Sequence, residues 1–383
     1  MMSVADIRLV GEGGYGCIIQ PAVDGKYRKT FNIAYTDKDD TDIGKLFLEK
    51  RHFDAELKLL LGIQKIDTNS KFTVKLKGAN SFQGNLLNST IKRCLNTDDN
   101  SEIYQIVMEY GGKDIDSLSD KSIPFKHFIK YFRTFLEGLT LFHSFDMIHY
   151  DIKPANILVS HKKMSLIDFG ISIPVDKMYS SDNLKRLSDF YVFHSPEAFM
   201  AYLLFNNKQS HSSFQNHLDT VVNEMEEYGF FNELWEDNKI ESVKSQLQEF
   251  VDNIKHNNYS FEQVFNRNLA FKCDVYSLNF VIKEFAYKII YDNDMQKEFV
   301  RELYSKCSAI NPYKRATVAE LLKYVKESET TLTQFNVSQP QIGGSKKRLR
   351  FPKLNKESSY NKRLIPSFKC KLPLIVNKHL KKQ

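Results

Sequence analysis

His149-Tyr150-Asp151-Ile152-Lys153-Pro154-Ala155-Asn156-Ile157-Leu158, followed ten residues later by Asp168-Phe169-Gly170, decides the reading of this chain. In-line transfer of a phosphoryl group needs an acceptor for the proton of the attacking hydroxyl, a cation near the transferred group, and oxygen ligands for a divalent metal. Asp151, Lys153 and Asn156 supply these three in one short loop, and Asp168, after the apolar run 164–167, adds a second carboxylate. Two acids and an asparagine could by chance mark an exposed turn. A near-complete HxDxKPxN pattern with DFG close behind it does not read that way.

Towards the N-terminus stands Gly11-Glu12-Gly13-Gly14-Tyr15-Gly16. Glycines let a chain approach a phosphate closely and leave several N–H groups pointing at it, yet GxGxxG alone also describes a hairpin turn. A dinucleotide fold places the motif between a strand and a helix. Here it lies between strand-like segments at 7–10 and 17–19, which points to a flap over a nucleotide. A third strand is expected at 27–31, joined through the hairpin dipeptide Asp24-Gly25. Residues 36–45 read as a polar loop. A helix is expected from about 46 to 66, with Phe53, Leu57, Leu60 and Leu61 as its stripe, and further strands at 72–76 and 104–108. Beyond Gly111-Gly112, Phe128, Ile129, Phe132, Phe135, Leu136, Leu139 and Phe142 share one helical face fit for the centre of a larger lobe. Later helices are expected at 217–228, 240–255, 275–291 and 316–327. The expected fold is α+β and bilobal. A small antiparallel-sheet lobe with one long helix (1–111) precedes a larger, mainly helical lobe (112–330) with a helical insert at 198–271, and a basic tail (331–383) expected to be disordered follows.

These motifs resemble the eukaryotic protein kinase family over roughly residues 7–327. The resemblance implies a serine/threonine protein kinase that uses ATP with Mg²⁺ (Mn²⁺ as a substitute) and acts on protein hydroxyls. Asp151 would be the catalytic base, Lys153 would stabilise the transferred phosphoryl, and Asn156 and Asp168 would bind the metal. Val10, Gly11, Glu12, Gly13, Gly14, Tyr15, Gly16, Cys17 and Ile18 would line the nucleotide. Met108-Glu109-Tyr110 resembles the segment whose backbone meets the adenine. The Lys-Pro after Asp-Ile is similar to the serine/threonine branch. Ser195-Pro196-Glu197 resembles the APE element, with Glu197 and Arg315 as the expected buried pair; Asp274-Val275-Tyr276-Ser277-Leu278 resembles a structural element of the large lobe. VAIK is not spelled out. Lys29, on one face of the expected strand with Tyr27 and Phe31, fits the ATP lysine best, with Lys26 as the rival. Glu56 fits its partner, with Glu49 as runner-up. The stretch Gly-Gly-Tyr-Gly-Cys-Ile-Ile-Gln-Pro, Met-Glu-Tyr-Gly-Gly and the long insert are also similar to kinases of large cytoplasmic DNA viruses.

Two departures stand out. Tyr150 replaces the arginine that, in the family, pairs with a phosphorylated residue on the activation segment. The stretch 198–271 is longer than the family needs and acidic, with 11 acids against 5 bases; extra helices packed on the large lobe are the expected reading, and a docking platform the sharper one. The competing reading of the chain is a pseudokinase scaffold, which loss of the base or of the metal ligands would favour; neither is lost. The net charge of +7 is uneven: 341–383 carries 13 Lys and Arg against one acid, and the remainder carries 41 basic and 46 acidic residues. A polyanion partner, nucleic acid or acidic protein, would therefore engage 341–383. Five scattered cysteines without CxxC spacing argue against a disulfide framework or zinc site and for a reducing compartment. With no apolar run of about 18 residues and no signal-peptide pattern, an intracellular location is expected, host cytoplasm or virion if the chain is viral. Lys346-Lys347-Arg348-Leu349-Arg350 also fits a nuclear entry signal.

Overall fold

The computed structural model describes residues 7–13, 16–25, 41–178, 191, 193–206, 218–223, 225–226, 240–264 and 266–334. These fall into two compact units, one within Met1–Gly112 and the other within Lys113–Phe351. Of the tail expected at 331–383, only 331–334 are described, as the end of a helix, and Gly14, Tyr15, Lys26 and Lys29 also lie outside the described residues.

The first unit contains β1 (Arg8–Gly13), β2 (Gly16–Gln20), β3 (Ile43–Phe47), α1 (Lys50–Ile66), β4 (Leu76–Gln83), α2 (Ser89–Leu95) and β5 (Glu102–Met108). Its sheet runs β1-β2-β3-β5-β4 with antiparallel neighbours throughout. The strand beside β2 is Ile43–Phe47, in register Cys17 to Leu46 and Ile19 to Gly44. The polar loop expected at 36–45 covers most of this strand, while the strand expected at 27–31 lies outside the described residues. The short run Ile43-Gly44-Lys45-Leu46-Phe47 hides in sequence because it carries a glycine and a charge and follows several acids. Two close approaches fix the glycines there. A Cβ on Gly16 would stand 1.9 Å from the Leu46 carbonyl oxygen, and one on Gly44 would stand 2.1 Å from the Gln105 side-chain oxygen. That oxygen is needed where it is: it accepts from Val23 N–H at 2.9 Å, while the Gln105 amide nitrogen donates to Val23 O and to Asn80 Oδ1. With Gln105 fully buried, each of these bonds satisfies a group that would otherwise cost about 1–3 kcal/mol.

Strand alternation sorts β2 into two faces. Cys17 and Ile19 turn into a small core with Leu46, Phe82, Ile91 and Ile103, while Ile18 lies on the other face. Helix α2 closes that core, capped by Asn88, whose side chain accepts from Ile91 N–H at 3.1 Å. Cys17 and Cys94 are joined there as a disulfide, Cα to Cα 6.3 Å. The scattered cysteines argue against a disulfide framework, and this single bond escapes that reading because a separation of 77 residues gives no hint that β2 and α2 pack together. Helix α1 begins at Lys50, after an extended Glu49, rather than near 46, and buries Phe53, Leu57 and Ile63. The strand expected at 72–76 begins where that stretch ends, at Leu76.

The second unit contains β6 (Lys113–Asp114), β7 (Ile123–Pro124), α3 (Phe125–Ser144), β8 (Met147–Ile148), β9 (Ile157–Val159), β10 (Met164–Leu166) and β11 (Ile173–Pro174), then α4 (Pro196–Asn206), α5 (Ile240–Asn257), α6 (Phe261–Val264), α7 (Arg267–Lys288), β12 (Ile289–Ile290), α8 (Asp294–Ser308) and α9 (Val318–Gln334). Helix α3 buries the face the sequence marks out, and Phe128 stacks on Phe132 at 5.4 Å. Each such phenylalanine contributes about 1.5–3 kcal/mol on burial. Of the insert, helical residues 218–223 and α5 send Leu218, Val221, Val222, Val243, Leu247 and Phe250 into one core with Phe199 of α4 and Tyr276 of α7. The described part of the insert is therefore extra helical structure packed on this unit. Among the described residues, no helix is long and apolar enough to cross a membrane.

Candidate active site

The loop between β8 and β9 is built on one buried carboxylate. Asp274, on α7 and fully buried, accepts from His149 N–H at 2.9 Å and from Tyr150 N–H at 2.8 Å. Its Oδ2 also lies 2.9 Å from His143 Nε2. These bonds hold Tyr150 at φ 65°, a left-handed conformation that costs a residue with a Cβ about 1–3 kcal/mol. The strain turns the chain so that Asp151 follows in the loop. His149, fully enclosed, is held neutral by burial. Its Nδ1 faces Asp151 N–H at 3.2 Å and so accepts, which assigns the ring proton to Nε2, 3.2 Å from Ile167 O. Phe169 packs edge-on to His149 and to Phe142.

Asp151 is buried, and its carboxylate takes three hydrogen bonds from two donor groups. Lys153 Nζ reaches Oδ1 at 3.0 Å and Oδ2 at 2.9 Å, and the Asn156 amide nitrogen reaches Oδ2 at 2.8 Å. Burial raises the Asp151 pKa above the usual aspartate value, with the Lys153 charge acting in the opposite sense. Burial works against the Lys153 ammonium too, but the Asp151 carboxylate outweighs it and the lysine pKa is raised. Asn156 donates a second bond to Asp151 O at 2.9 Å, so its amide nitrogen is committed and Oδ1 is the end left to face a cation. Asp168 is exposed and sits at φ 61°, a second left-handed residue. A Cβ on Gly170 would stand 3.3 Å from Asp168 Oδ1, so the glycine leaves that carboxylate its room.

In the first unit, Glu56 of α1 pairs with Lys45 of β3. Lys29, favoured over Lys26 in the sequence as the ATP lysine, lies outside the described residues, and the strand that pairs with β2 on the side away from β1 is Ile43–Phe47, which carries Lys45. Glu49, the alternative acid, pairs with Arg51. Lys45 lies opposite Ile106 in β5, two residues from Met108, the last residue of that strand. Glu109 follows, its N–H donating to Lys75 O at 2.9 Å, and Tyr110 is exposed. Val10 is 46% exposed, a large apolar residue left bare beside Gly11, where a Cβ would meet Ile18 Cδ1 at 3.7 Å. Cys17 faces away from them, so only its backbone lies on the Val10 side. Lys45 has no place in the sequence analysis, and the bonds of Asp274 to the loop add to the structural role expected of it in the larger lobe. For Lys45, the signal available was its spacing of eleven residues before Glu56, close to a helix start.

Glu197 and Arg315 meet as expected. Both are buried, and Arg315 Nη1 and Nη2 reach the two Glu197 oxygens at 2.7 and 3.0 Å. The guanidinium also donates to the carbonyls of Ala309, Lys272 and Ile310. Breaking a pair so enclosed costs about 3–5 kcal/mol, because one charge stays buried alone.

A family model described as "Protein kinase domain" matches residues 4–325. Among curated relatives, mitogen-activated protein kinase kinase kinase 3 of Arabidopsis thaliana is 35% identical over 120 residues, 30% of this chain and 18% of the relative. Mitogen-activated protein kinase kinase 7 of the same plant is 34% identical over 96 residues, 24% of this chain and 30% of the relative. The rat proto-oncogene serine/threonine-protein kinase mos is 26% identical over 140 residues, 33% of this chain and 41% of the relative. Each match thus spans less than half of the relative's length. The family model spans most of the chain, and the chain belongs to the protein kinase family.

Proposed function

We propose that this chain is a catalytically active serine/threonine protein kinase, transferring the γ-phosphoryl group of Mg·ATP to protein hydroxyls. The observation that carries this reading is the Asp151 carboxylate, buried and oriented by Lys153 and Asn156. An oriented carboxylate with a raised pKa is suited to accept the proton of an attacking hydroxyl. Lys153, held beside it, brings a positive charge to the side on which the hydroxyl attacks. The serine/threonine assignment rests on Lys153-Pro154 and on the relatives' names.

The residues present fit the nucleotide and metal that the family uses. Asn156 Oδ1 and the exposed Asp168 carboxylate are hard oxygen donors, the set a small divalent cation takes together with phosphates. When bound, Mg²⁺ would neutralise charge on the phosphates. In the first unit, Val10 and Ile18 offer an apolar surface to the adenine, the Met108-Glu109-Tyr110 backbone its hydrogen bonds, and the Gly11–Gly16 stretch a flap over the phosphates. Lys45, kept in place by Glu56, would hold the phosphates by charge. Residues 341–383, strongly basic, would engage a polyanion; truncation after about 338 should then leave kinase activity and remove salt-sensitive binding to nucleic acid.

The test is transfer itself. Purified chain, radiolabelled ATP, Mg²⁺ and generic acidic and basic substrates should yield phosphoserine and phosphothreonine on acid hydrolysis. Stabilisation by Mg·ATP without transfer would make the chain a nucleotide-binding scaffold and overturn the proposal.

A further inference from the structure

The segment entering Ser195-Pro196-Glu197 closes a circuit of contacts with the catalytic loop. Tyr150, next to Asp151 in sequence, lies with its ring centroid 4.3 Å from that of His194. His194 meets Tyr191 edge-on at 5.1 Å. The Tyr191 ring lies 5.8 Å from Lys153 Nζ, and Lys153 returns to Asp151 at 2.9 Å. The path leaves the loop at Tyr150 and comes back at its sequence neighbour. It is also rooted in the core. Tyr191 packs on Phe193 at 5.3 Å, Phe193 on Phe280 of α7 at 4.8 Å, and Ser277 Oγ donates to Phe193 O at 2.7 Å. The same helix carries Asp274, which holds the Tyr150 N–H. One helix therefore fixes both ends of the circuit.

A tyrosine at position 150 brings no cation to hold a phosphate, so the seating of this segment must come from other forces. Stacked and edge-to-face rings supply one, and a ring beside an ammonium supplies another. We propose that Tyr191 is a positioning residue for the phosphoryl transfer proposed above: its ring, braced by His194 and Tyr150, holds the Lys153 ammonium against Asp151. The segment is seated by this aromatic clasp and needs no phosphate. The inference rests on the kinase reading. It concerns the ring rather than the hydroxyl, and it acts through Lys153 rather than on the substrate.

The experiment uses the full chain, a generic protein substrate, and the variants Tyr191→Phe and Tyr191→Leu. Leucine keeps apolar packing and loses the ring, so folding is preserved, as checked by the thermal midpoint. Tyr191→Phe should match the wild type, whereas Tyr191→Leu should lower kcat about 10-fold, the size expected of a partly desolvated ammonium–ring contact, with KM for ATP nearly unchanged. Phosphatase-treated wild type should keep its kcat. Wild-type kcat in Tyr191→Leu, an equal loss in Tyr191→Phe, or a loss in Tyr191→Leu that falls on KM for ATP rather than on kcat would each overturn the clasp while leaving the kinase reading intact. So would a loss of activity on phosphatase treatment. A wild type that transfers no phosphate would overturn the kinase reading, and this inference with it.

Discussion

The catalytic loop and β3 both carry residues proposed for the chemistry, and they differ in how those residues come together. In the loop, Asp151, Lys153 and Asn156 lie within six consecutive residues and bond to one another directly. In β3, Lys45 meets Glu56 through a strand, a turn and a helix, and only the pairing of β3 with β2 and β5 decides which lysine is presented. Contiguous chemistry is readable as a word, whereas chemistry assembled by a sheet depends on strand register, where a shift of one residue exchanges the two faces.

The sharpest way to test the loop side is Asp151→Asn, which removes the proton acceptor and leaves a group of the same size. Transfer should fall by roughly 10²–10⁴-fold with ATP binding retained, measured by steady-state kinetics and by ATP-dependent thermal stabilisation. Near wild-type kcat would dissolve the role assigned to this loop.

On the β3 side, Lys45→Met should lower kcat/KM for ATP by about 10²-fold, as the loss of one fixed charge at a phosphate does. Lys29→Met should be close to wild type. The opposite pattern would restore the assignment made from the sequence and detach the Lys45–Glu56 pair from the reaction.

A smaller effect separates the loop's two charges. Protonating Asp151 removes the base, so kcat should fall as pH drops through its pKa, which burial places above the ordinary aspartate value. Lys153 opposes that shift. Lys153→Met should therefore move the acid limb to higher pH in addition to lowering kcat, and a limb that stays put would show that the lysine does not act on Asp151.

The last test concerns stability alone. Reduction of the Cys17–Cys94 bond should lower stability by about 2–4 kcal/mol, read from the thermal midpoint with and without reductant. Cys94→Ser should match the reduced wild type and ignore reductant. Cys273 should react slowly in the folded protein in either case, since burial pushes its thiol up to about 12. Equal midpoints in both conditions would mean that β2 and α2 are held by packing without the bond.

By itself the sequence determined which residues gather in the loop, the buried face of α3 and the buried partnership of Glu197 with Arg315. Hydrophobic periodicity and short motifs act over a few residues, and the buried face of α3 could be named in advance for that reason. The partnership of Glu197 with Arg315 came by a different route, through likeness to motifs already known. Tertiary structure alone decided the pairing of Lys45 with Glu56, the disulfide, the bonds from Asp274 to the loop and the ring of contacts from Tyr150 through Tyr191. The last three join segments distant in sequence: Cys17 with Cys94, Asp274 with a loop more than a hundred residues earlier, and Tyr150 with Tyr191 through His194. Such pairings depend on which elements pack against one another. That choice is made by the burial of whole faces at once, and no single residue carries it in its identity.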